Sequence, residues 1–127
     1  MAIQFHPRAG MVLICNFSTG FEPPEMVKIR RVIVVSKGDH NKHGVCTVVP
    51  FSTTPPTQLQ PFHVEFPPKR YPFLHSEVSC WAKCNMINTV AMRRLDRIRV
   101  GGEYQSPSLN KEDLSRIYDA ILSVFDR

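Results

Sequence analysis

Proline clusters divide this chain into short segments, and they restrict its fold more than any other feature of the sequence. Eleven prolines occur, with clusters at 23–24, 55–56, 61, 67–68 and 72. Because proline has a fixed φ and no backbone N–H, such clusters mark loops rather than regular structure. The segments between them are rich in β-branched and aromatic residues, which is typical of a small β-barrel.

The segments predict several short strands. Residues 31–36 read RVIVVS and are dominated by β-branched side chains. Phe62–Phe66 alternates between apolar and polar residues, which is the period of a half-buried strand. The predicted strands occupy 11–17, 31–36, 45–51 and 62–66, one longer or two shorter strands within 78–90, and a short strand within 92–100.

A helix is predicted at the C-terminus. Asn110 can cap its first turn, and Asp113 follows as an acidic residue near the helix start. The next apolar residues fall on one helical face, namely Leu114, Ile117, Tyr118, Ile121, Leu122 and Phe125. We therefore expect one mainly β domain over residues 1–127, with a C-terminal helix at about 110–126.

Composition and charge suggest a cytoplasmic protein with a basic surface. No apolar run reaches the roughly 18 residues of a membrane helix, and the N-terminus does not resemble a secretory signal. The formal net charge is +5. This excess fits either a solubilising surface or a polyanionic partner such as RNA.

The cysteines favour a structural role. Cys15 and Cys46 lie in predicted apolar strands, where cysteine acts as a small hydrophobe. Cys80 and Cys84 are four positions apart, and His75 could add a third metal ligand. One loose pair is a poor match to a zinc site, so reduced structural thiols are the preferred interpretation. We expect no metal and no cofactor.

Polar residues collect at the ends of two adjacent predicted strands. Arg30 and Arg31 begin one strand, and Ser52 and Thr53 end the next. If the intervening turn at 37–44 makes an antiparallel hairpin, these ends meet, close to the loop that carries Glu25. Guanidinium and hydroxyl donors together suit a phosphate. The alternative is that these residues only solvate and terminate the strands.

Other candidate residues are more ambiguous. Trp81, Tyr71 and Tyr104 could stack nucleobases, although a single tryptophan in an apolar segment more often belongs to the core. The histidines lie in predicted loops or on alternating strand faces, which favours surface positions over catalytic ones.

Several motifs together resemble one known family. The order GMVLICNF, E-x4-R, RVIVVS, VVPFSTT and INTVAMRRL, over about 11–98, is similar to the MazF/PemK/Kid toxins of bacterial toxin–antitoxin pairs. The resemblance implies a small SH3-like β-barrel of the MazF/CcdB type with a C-terminal helix. It also implies a homodimer, a cognate antitoxin lying across an RNA groove, and metal-independent cleavage of single-stranded RNA through its 2′-OH.

The resemblance assigns roles to individual residues. Glu25 falls on the family's loop glutamate, Arg30 on its catalytic arginine, and Ser52 and Thr53 on its hydroxyl pair. Residues expected to contact RNA are Lys28, Arg31, Asn85, Asn88, Arg93 and Arg94.

The chain departs from the family pattern at three positions. Arg31 stands where the family usually has proline, Asn88 where an arginine often lies, and Ala91 where some members have a catalytic acid.

Three functions are therefore open at this point. The first is a sequence-preferring endoribonuclease toxin. The second is a catalytically weak or inactive module that binds RNA or protein on the same barrel, and the departures at Asn88 and Ala91 favour it. The third is a protein-targeting toxin, because the same architecture occurs in toxins that act on DNA gyrase.

Overall fold

The computed structural model describes residues 3–126. This part of the chain contains nine strands, two α-helices and two short 3-10 turns. The strands are β1 (Val12–Asn16), β2 (Ile29–Val34), β3 (Val45–Ser52), β4 (His63–Phe66), β5 (Cys80–Lys83), β6 (Asn88–Ala91), β7 (Leu95–Asp96), β8 (Ile98–Val100) and β9 (Glu103–Gln105). The helices are α1 (Gly38–Asn41) and α2 (Lys111–Leu122), and the 3-10 turns span Cys84–Met86 and Met92–Arg94.

Seven of the strands form one antiparallel sheet. Its order is β4-β5-β3-β2-β1-β7, with β6 paired to β3 beside that path. Strands β8 and β9 form a separate hairpin. The predicted class, mainly β with a C-terminal helix, is confirmed, but among the described residues the path of strands is open and does not close into a barrel.

Strand β3 changes partners along its length. One part of β3, Val45–Val48, pairs with β6, and its end at Phe51 and Ser52 pairs with β5. Pro50 lies between these two stretches, opposite Val32 of β2. The proline is buried, and it is tolerated because it lies where β3 leaves one neighbour for another.

Apolar side chains form a core on each face of the sheet. The helix-side core joins Val12, Ile33, Phe51 and Phe66 to Ile117 of α2. The opposite core holds Leu13, Cys15, Phe17, Val32, Val34, Val48 and Val90. Because successive strand residues point to opposite faces, β1, β2 and β3 each contribute to both cores.

Burial also explains why the cysteine thiols stay protonated. All four cysteines are free and buried. Burial raises the pKa of Cys15 to about 12, that of Cys46 to about 11 and that of Cys84 to about 12. These three side chains are protonated hydrophobes at neutral pH.

The C-terminal helix is shorter than predicted. It begins after Asn110, whose side chain accepts a hydrogen bond from the Asp113 N–H at 2.8 Å, as the sequence indicated. It ends at Leu122 instead of near 126. Ile117 and Ile121 are buried, but Leu122 and Phe125 are 54% and 57% exposed, so the apolar face predicted from the spacing packs only in part.

The sequence did not predict β9, whose residues EYQ are all exposed and carry no apolar alternation. Neither of the helices that the structure describes is long and apolar enough to cross a membrane.

Candidate functional site

A groove opens where β2 begins and β3 ends. Its volume is about 560 Å³, and its floor contains Arg30, Arg31, Ser52 and Thr53. The loop that carries Pro72–His75 forms one wall. The start of the β8–β9 hairpin forms another, through Arg99, Val100 and Gly101. The structure therefore brings together the two arginines and two hydroxyl residues that the sequence analysis singled out.

Arg30 and Ser52 share one face of the sheet. The β2–β3 register pairs Val32 with Pro50, and its continuation by two residues sets Arg30 opposite Ser52. Directly opposed residues of an antiparallel pair project to the same side. Both side chains are half-buried, whereas Thr53 follows the strand end and is exposed.

The Arg30 guanidinium lacks a protein partner on one of its donors. Its Nε–H is buried and has no hydrogen-bond partner within the described residues. Such a donor costs about 1–3 kcal/mol of desolvation unless a ligand accepts from it. An anion bound in the groove would satisfy it.

The hydroxyls are free to donate as well. Ser52 Oγ accepts a hydrogen bond from the Thr54 N–H at 3.1 Å, which leaves the Ser52 O–H hydrogen for another acceptor. Together with the planar fork of Arg30, it forms a donor set that matches the oxygens of a phosphate.

Arg31 has a different role from Arg30. It lies opposite Ile14 in the β1–β2 register and, by alternation, on the helix-side face. Arg31 Nη1 donates a hydrogen bond to the Phe73 carbonyl, which fixes the proline-rich loop as a wall of the groove.

The β8–β9 hairpin adds cations that the sequence analysis did not assign. The guanidiniums of Arg97 and Arg99 each lie 5.3 Å from the centroid of the Tyr104 ring. Arg99 also donates to the Gly102 carbonyl at 3.1 Å. Gly101 and Gly102 both have positive φ, which permits the tight turn that returns Tyr104 to the arginines. The available signal was the pair Arg97 and Arg99 before Gly-Gly with Tyr104 after it.

Glu25 does not line the groove. Its side chain is exposed, and Oε1 accepts a hydrogen bond from the Glu22 N–H at 2.9 Å within its own loop. Lys28, in the same loop, is exposed and also lies outside the groove lining. The sequence pattern predicted Glu25 close to Arg30, but its carboxylate is engaged within its own loop.

The remaining predicted RNA contacts lie away from the groove. Arg93 and Arg94 line a smaller pocket of about 210 Å³ with Asn16 and Thr19. Arg94 donates to the Asn16 and Thr19 carbonyls at 3.0 and 2.9 Å, so its guanidinium holds the loop after β1.

The two asparagines lie on neither pocket. Asn85 is exposed in the first 3-10 turn. Asn88 is half-buried in β6, opposite Val48.

The three aromatic candidates differ in their surroundings. Trp81 is half-buried and belongs to neither apolar core, contrary to the expectation for a single tryptophan. Tyr71 is structural, since it stacks on Phe73 at 5.1 Å and donates to Asp113 Oδ2 at 2.5 Å. Tyr104 is 55% exposed, and the guanidiniums of Arg97 and Arg99 lie over its ring.

No set of three or more His, Cys, Asp or Glu side chains suited to a metal ion occurs within residues 3–126. His75 and Cys80 both line the groove, whereas Cys84 is packed in the helix-side core.

Comparison with known proteins gives consistent matches. The sequence model of one family, described as the PemK-like, MazF-like toxin of type II toxin–antitoxin systems, matches residues 8–125. The uncharacterized protein YifN of Escherichia coli (strain K12) is 32% identical over 142 aligned positions, covering 96% of this chain and 93% of YifN.

Solved structures share the fold at low sequence identity. MazF from Deinococcus radiodurans superposes with a TM-score of 0.71 at 18% identity, covering 95% of this chain and 97% of that protein. A mycobacterial endoribonuclease in complex with its cognate antitoxin gives a TM-score of 0.65 at 19% identity, with 93% of each chain covered. The match over residues 8–125 leaves little of the chain outside it, and the chain belongs to the PemK-like, MazF-like toxins of type II toxin–antitoxin systems.

Proposed function

We propose that this toxin is a metal-independent endoribonuclease that cuts single-stranded RNA in the groove formed by Arg30, Ser52 and Thr53. The observation that carries the proposal is the Arg30 guanidinium, which has a buried, unsatisfied donor and shares the lining of an open groove with Ser52, whose hydroxyl hydrogen is available to an acceptor. This donor set suits a phosphate that gains negative charge during attack.

The proposed reaction uses the RNA itself as nucleophile. The 2′-oxygen attacks the adjacent phosphorus and forms a new P–O bond, while the bond from phosphorus to the 5′-oxygen breaks. The products are a 2′,3′-cyclic phosphate and a free 5′-hydroxyl. Arg30, Ser52 and Thr53 donate hydrogen bonds to the non-bridging oxygens, on which charge accumulates.

Two protons must move in this scheme. The leaving 5′-oxygen takes one from the Arg30 guanidinium, which recovers it from solvent. Glu25 accepts the 2′-hydroxyl proton, which requires the Glu22–Glu25 loop to fold over the groove when RNA binds, because the carboxylate now bonds within that loop. A side chain that acts as a general base must come within hydrogen-bond reach of the proton.

The proposed partners follow from the same groove. A solved relative is an endoribonuclease bound to its cognate antitoxin, and an acidic antitoxin segment would compete with RNA for the cationic floor of this groove. A homodimer would extend the basic surface across two copies, and the proline-rich wall at Pro72–His75 is a candidate for base preference. Acting on cellular RNA, the toxin would work in the cytoplasm.

A catalytically weak RNA-binding module is the second candidate. The position of Glu25 outside the groove favours it, as does Ala91, which carries no carboxylate where some family members have one. Binding then persists through Arg30 and Ser52, but no group removes the 2′-hydroxyl proton.

Incubation of the purified protein with long single-stranded RNA in EDTA tests the proposal. Discrete fragments that end in cyclic phosphate are expected from the wild type and from Lys42→Ala, an exposed charge change outside the groove. Arg30→Ala should abolish cutting, and Ser52→Ala should reduce kcat by roughly 100-fold, which is typical for loss of one oxyanion donor. Binding without fragments would support the second candidate, and undiminished cutting by Arg30→Ala would refute the assigned site.

A further inference from the structure

Trp81 occupies an unusual position for a large aromatic side chain. It is the single tryptophan of the chain, and it lies in the middle of β5 rather than in a loop. In the antiparallel register it stands opposite Ser52 of β3 on one side and Glu65 of β4 on the other. The indole and the Ser52 hydroxyl therefore project from the same face of the sheet as adjacent neighbours.

Neither core packing, ring stacking nor a hydrogen bond within the described residues holds the Trp81 indole on that face. Trp81 is absent from both apolar cores, and none of the ring–ring contacts among the described residues includes it. The indole N–H donates to no protein group within residues 3–126, and the side chain is only half-buried. Tryptophan usually buries its ring or pairs its N–H, so a half-open indole beside a phosphate-binding hydroxyl indicates a ligand surface.

The charges around Trp81 suit a nucleic acid strand. Arg30 and Ser52 lie on one side of the indole on the same sheet face, by register. Lys83 follows two positions along β5, on the same face, and forms no ion pair within the described residues. Glu65 stands opposite Trp81 in β4, and its carboxylate is engaged by the Ser79 hydroxyl at 2.7 Å.

We propose that Trp81 is a nucleobase-stacking platform, which holds the base next to the scissile phosphate while Lys83 contacts the following phosphate of single-stranded RNA. The inference rests on the proposed ribonuclease function and assigns to it a subsite next to Ser52, outside the groove lining, which includes neither Trp81 nor Lys83. Directly opposed side chains in a sheet are about 4.5–5.5 Å apart at Cβ, so a phosphate on Ser52 brings its own base within reach of the indole. Aromatic platforms beside a basic track are the usual means of holding single strands without reading their sequence.

The single tryptophan makes the test direct, because all indole fluorescence of the protein comes from position 81. The probe is a 2′-deoxy single-stranded oligonucleotide of mixed sequence, which lacks the nucleophile and stays intact. We expect its addition to quench the emission of the wild-type protein, with a midpoint that equals the binding midpoint from fluorescence anisotropy of the labelled oligonucleotide.

Variants separate stacking from a structural role. Trp81→Ala should weaken binding by roughly 10- to 100-fold, and Trp81→Phe should recover most of that loss, since a phenyl ring still stacks. Phe125→Ala, which removes an exposed aromatic ring beyond α2, should bind like the wild type. Thermal melting of Trp81→Phe shows whether the sheet is intact.

The possible outcomes distinguish the stacking inference from the ribonuclease proposal. If anisotropy reports binding, or RNA is cut in EDTA, while Trp81 emission is unchanged, the stacking inference is wrong and the ribonuclease proposal stands. If the protein neither binds nor cuts, both fail. If the emission of the free protein resists quenching by acrylamide until a dimer is diluted apart, a second copy covers Trp81 and the inference is overturned.

Discussion

Arg31 Nη1 donates a hydrogen bond to the Phe73 carbonyl, so that the first residues of β2 hold the proline-rich loop against the groove. Proline usually occupies this position in the toxins that the sequence resembles, and proline could not form such a contact. Arginine in place of proline at position 31 therefore supports the groove wall with a side-chain hydrogen bond. Arg30, its neighbour, projects to the other face and remains available to a phosphate.

Replacement of Arg31 should affect substrate binding more than chemistry. We expect Arg31→Met to free the Phe73 carbonyl and loosen the Pro72–His75 wall, raising KM for RNA by about tenfold with little change in kcat. Steady-state cleavage of a fixed RNA measures both constants. Hydrogen exchange at the Leu74 amide, which now donates to the Tyr71 carbonyl at 3.0 Å, should accelerate. A fall in kcat at constant KM would instead make Arg31 part of the reacting site.

The hairpin arginines should control the salt dependence of binding. Arg97 and Arg99 are exposed and lie over Tyr104 beside the groove, a position that suits phosphates outside the cut site. For single strands, each phosphate contact contributes about 0.7 to the slope of log affinity against log salt. The double variant Arg97→Gln with Arg99→Gln should make that slope shallower by about 1.4.

Anisotropy titrations across a range of salt concentrations would measure this slope. Lys42→Gln is the matched control, because it removes an exposed cation that pairs with Asp39 and does not line the groove. An unchanged slope in the double variant would mean that the hairpin does not touch the RNA backbone.

The sequence predicted the strand-end cluster because local rules determine it. The connection between β2 and β3, which contains α1, is short enough for the two strands to pair antiparallel, and the continued register of this pair sets Arg30 opposite Ser52. The start of α2 was also predictable, since the Asn110 cap depends on adjacent residues.

The features that the sequence left unassigned depend on distant packing. The Arg31–Phe73 contact spans 42 positions, and nothing local to either residue indicates it. Glu25 was grouped with Arg30 because its loop leads into β2 and because the resemblance places the family's loop glutamate there, but a loop carboxylate can turn back on its own backbone, as it does at Glu22. Trp81 looked like a core residue because its neighbours are apolar, whereas β5 presents alternate residues to opposite faces.

The buried thiols should resist alkylation in the folded protein. Burial raises the pKa of Cys15, Cys46 and Cys84 to about 12, 11 and 12, and only the thiolate reacts with iodoacetamide. At pH 8 these residues should label slowly in buffer and rapidly in denaturant. Mass spectrometry of digests identifies the labelled positions. Cys80, which lines the groove, should label first, and bound RNA should protect it. Fast native labelling of Cys15 would contradict its burial.

Asp113 anchors α2 to the groove wall and should make the fold sensitive to acid. Its fully buried carboxylate accepts from Arg70 Nη2 at 2.8 Å and from Arg116 Nη1 at 3.2 Å. Burial by itself would raise the pKa of the Asp113 carboxyl, but hydrogen bonds from Arg70, Tyr71 and Arg116 outweigh that effect and hold the pKa below its ordinary value. The ionised form is therefore favoured by folding.

We expect Asp113→Asn to lower the free energy of unfolding at pH 7 by about 2 kcal/mol, because it removes the charge that the surrounding guanidiniums balance. A depressed folded pKa contributes stability above the ordinary aspartate pKa of about 3.9, and this stability disappears as pH falls through the folded value. Urea unfolding at several pH values should therefore show the variant and the wild type converging below about pH 4.

Asp39→Asn, which breaks the exposed pair with Lys42, should cost under about 0.5 kcal/mol. A gap between Asp113→Asn and the wild type that is constant from pH 7 to pH 3 would show that packing, not the charge, accounts for the loss.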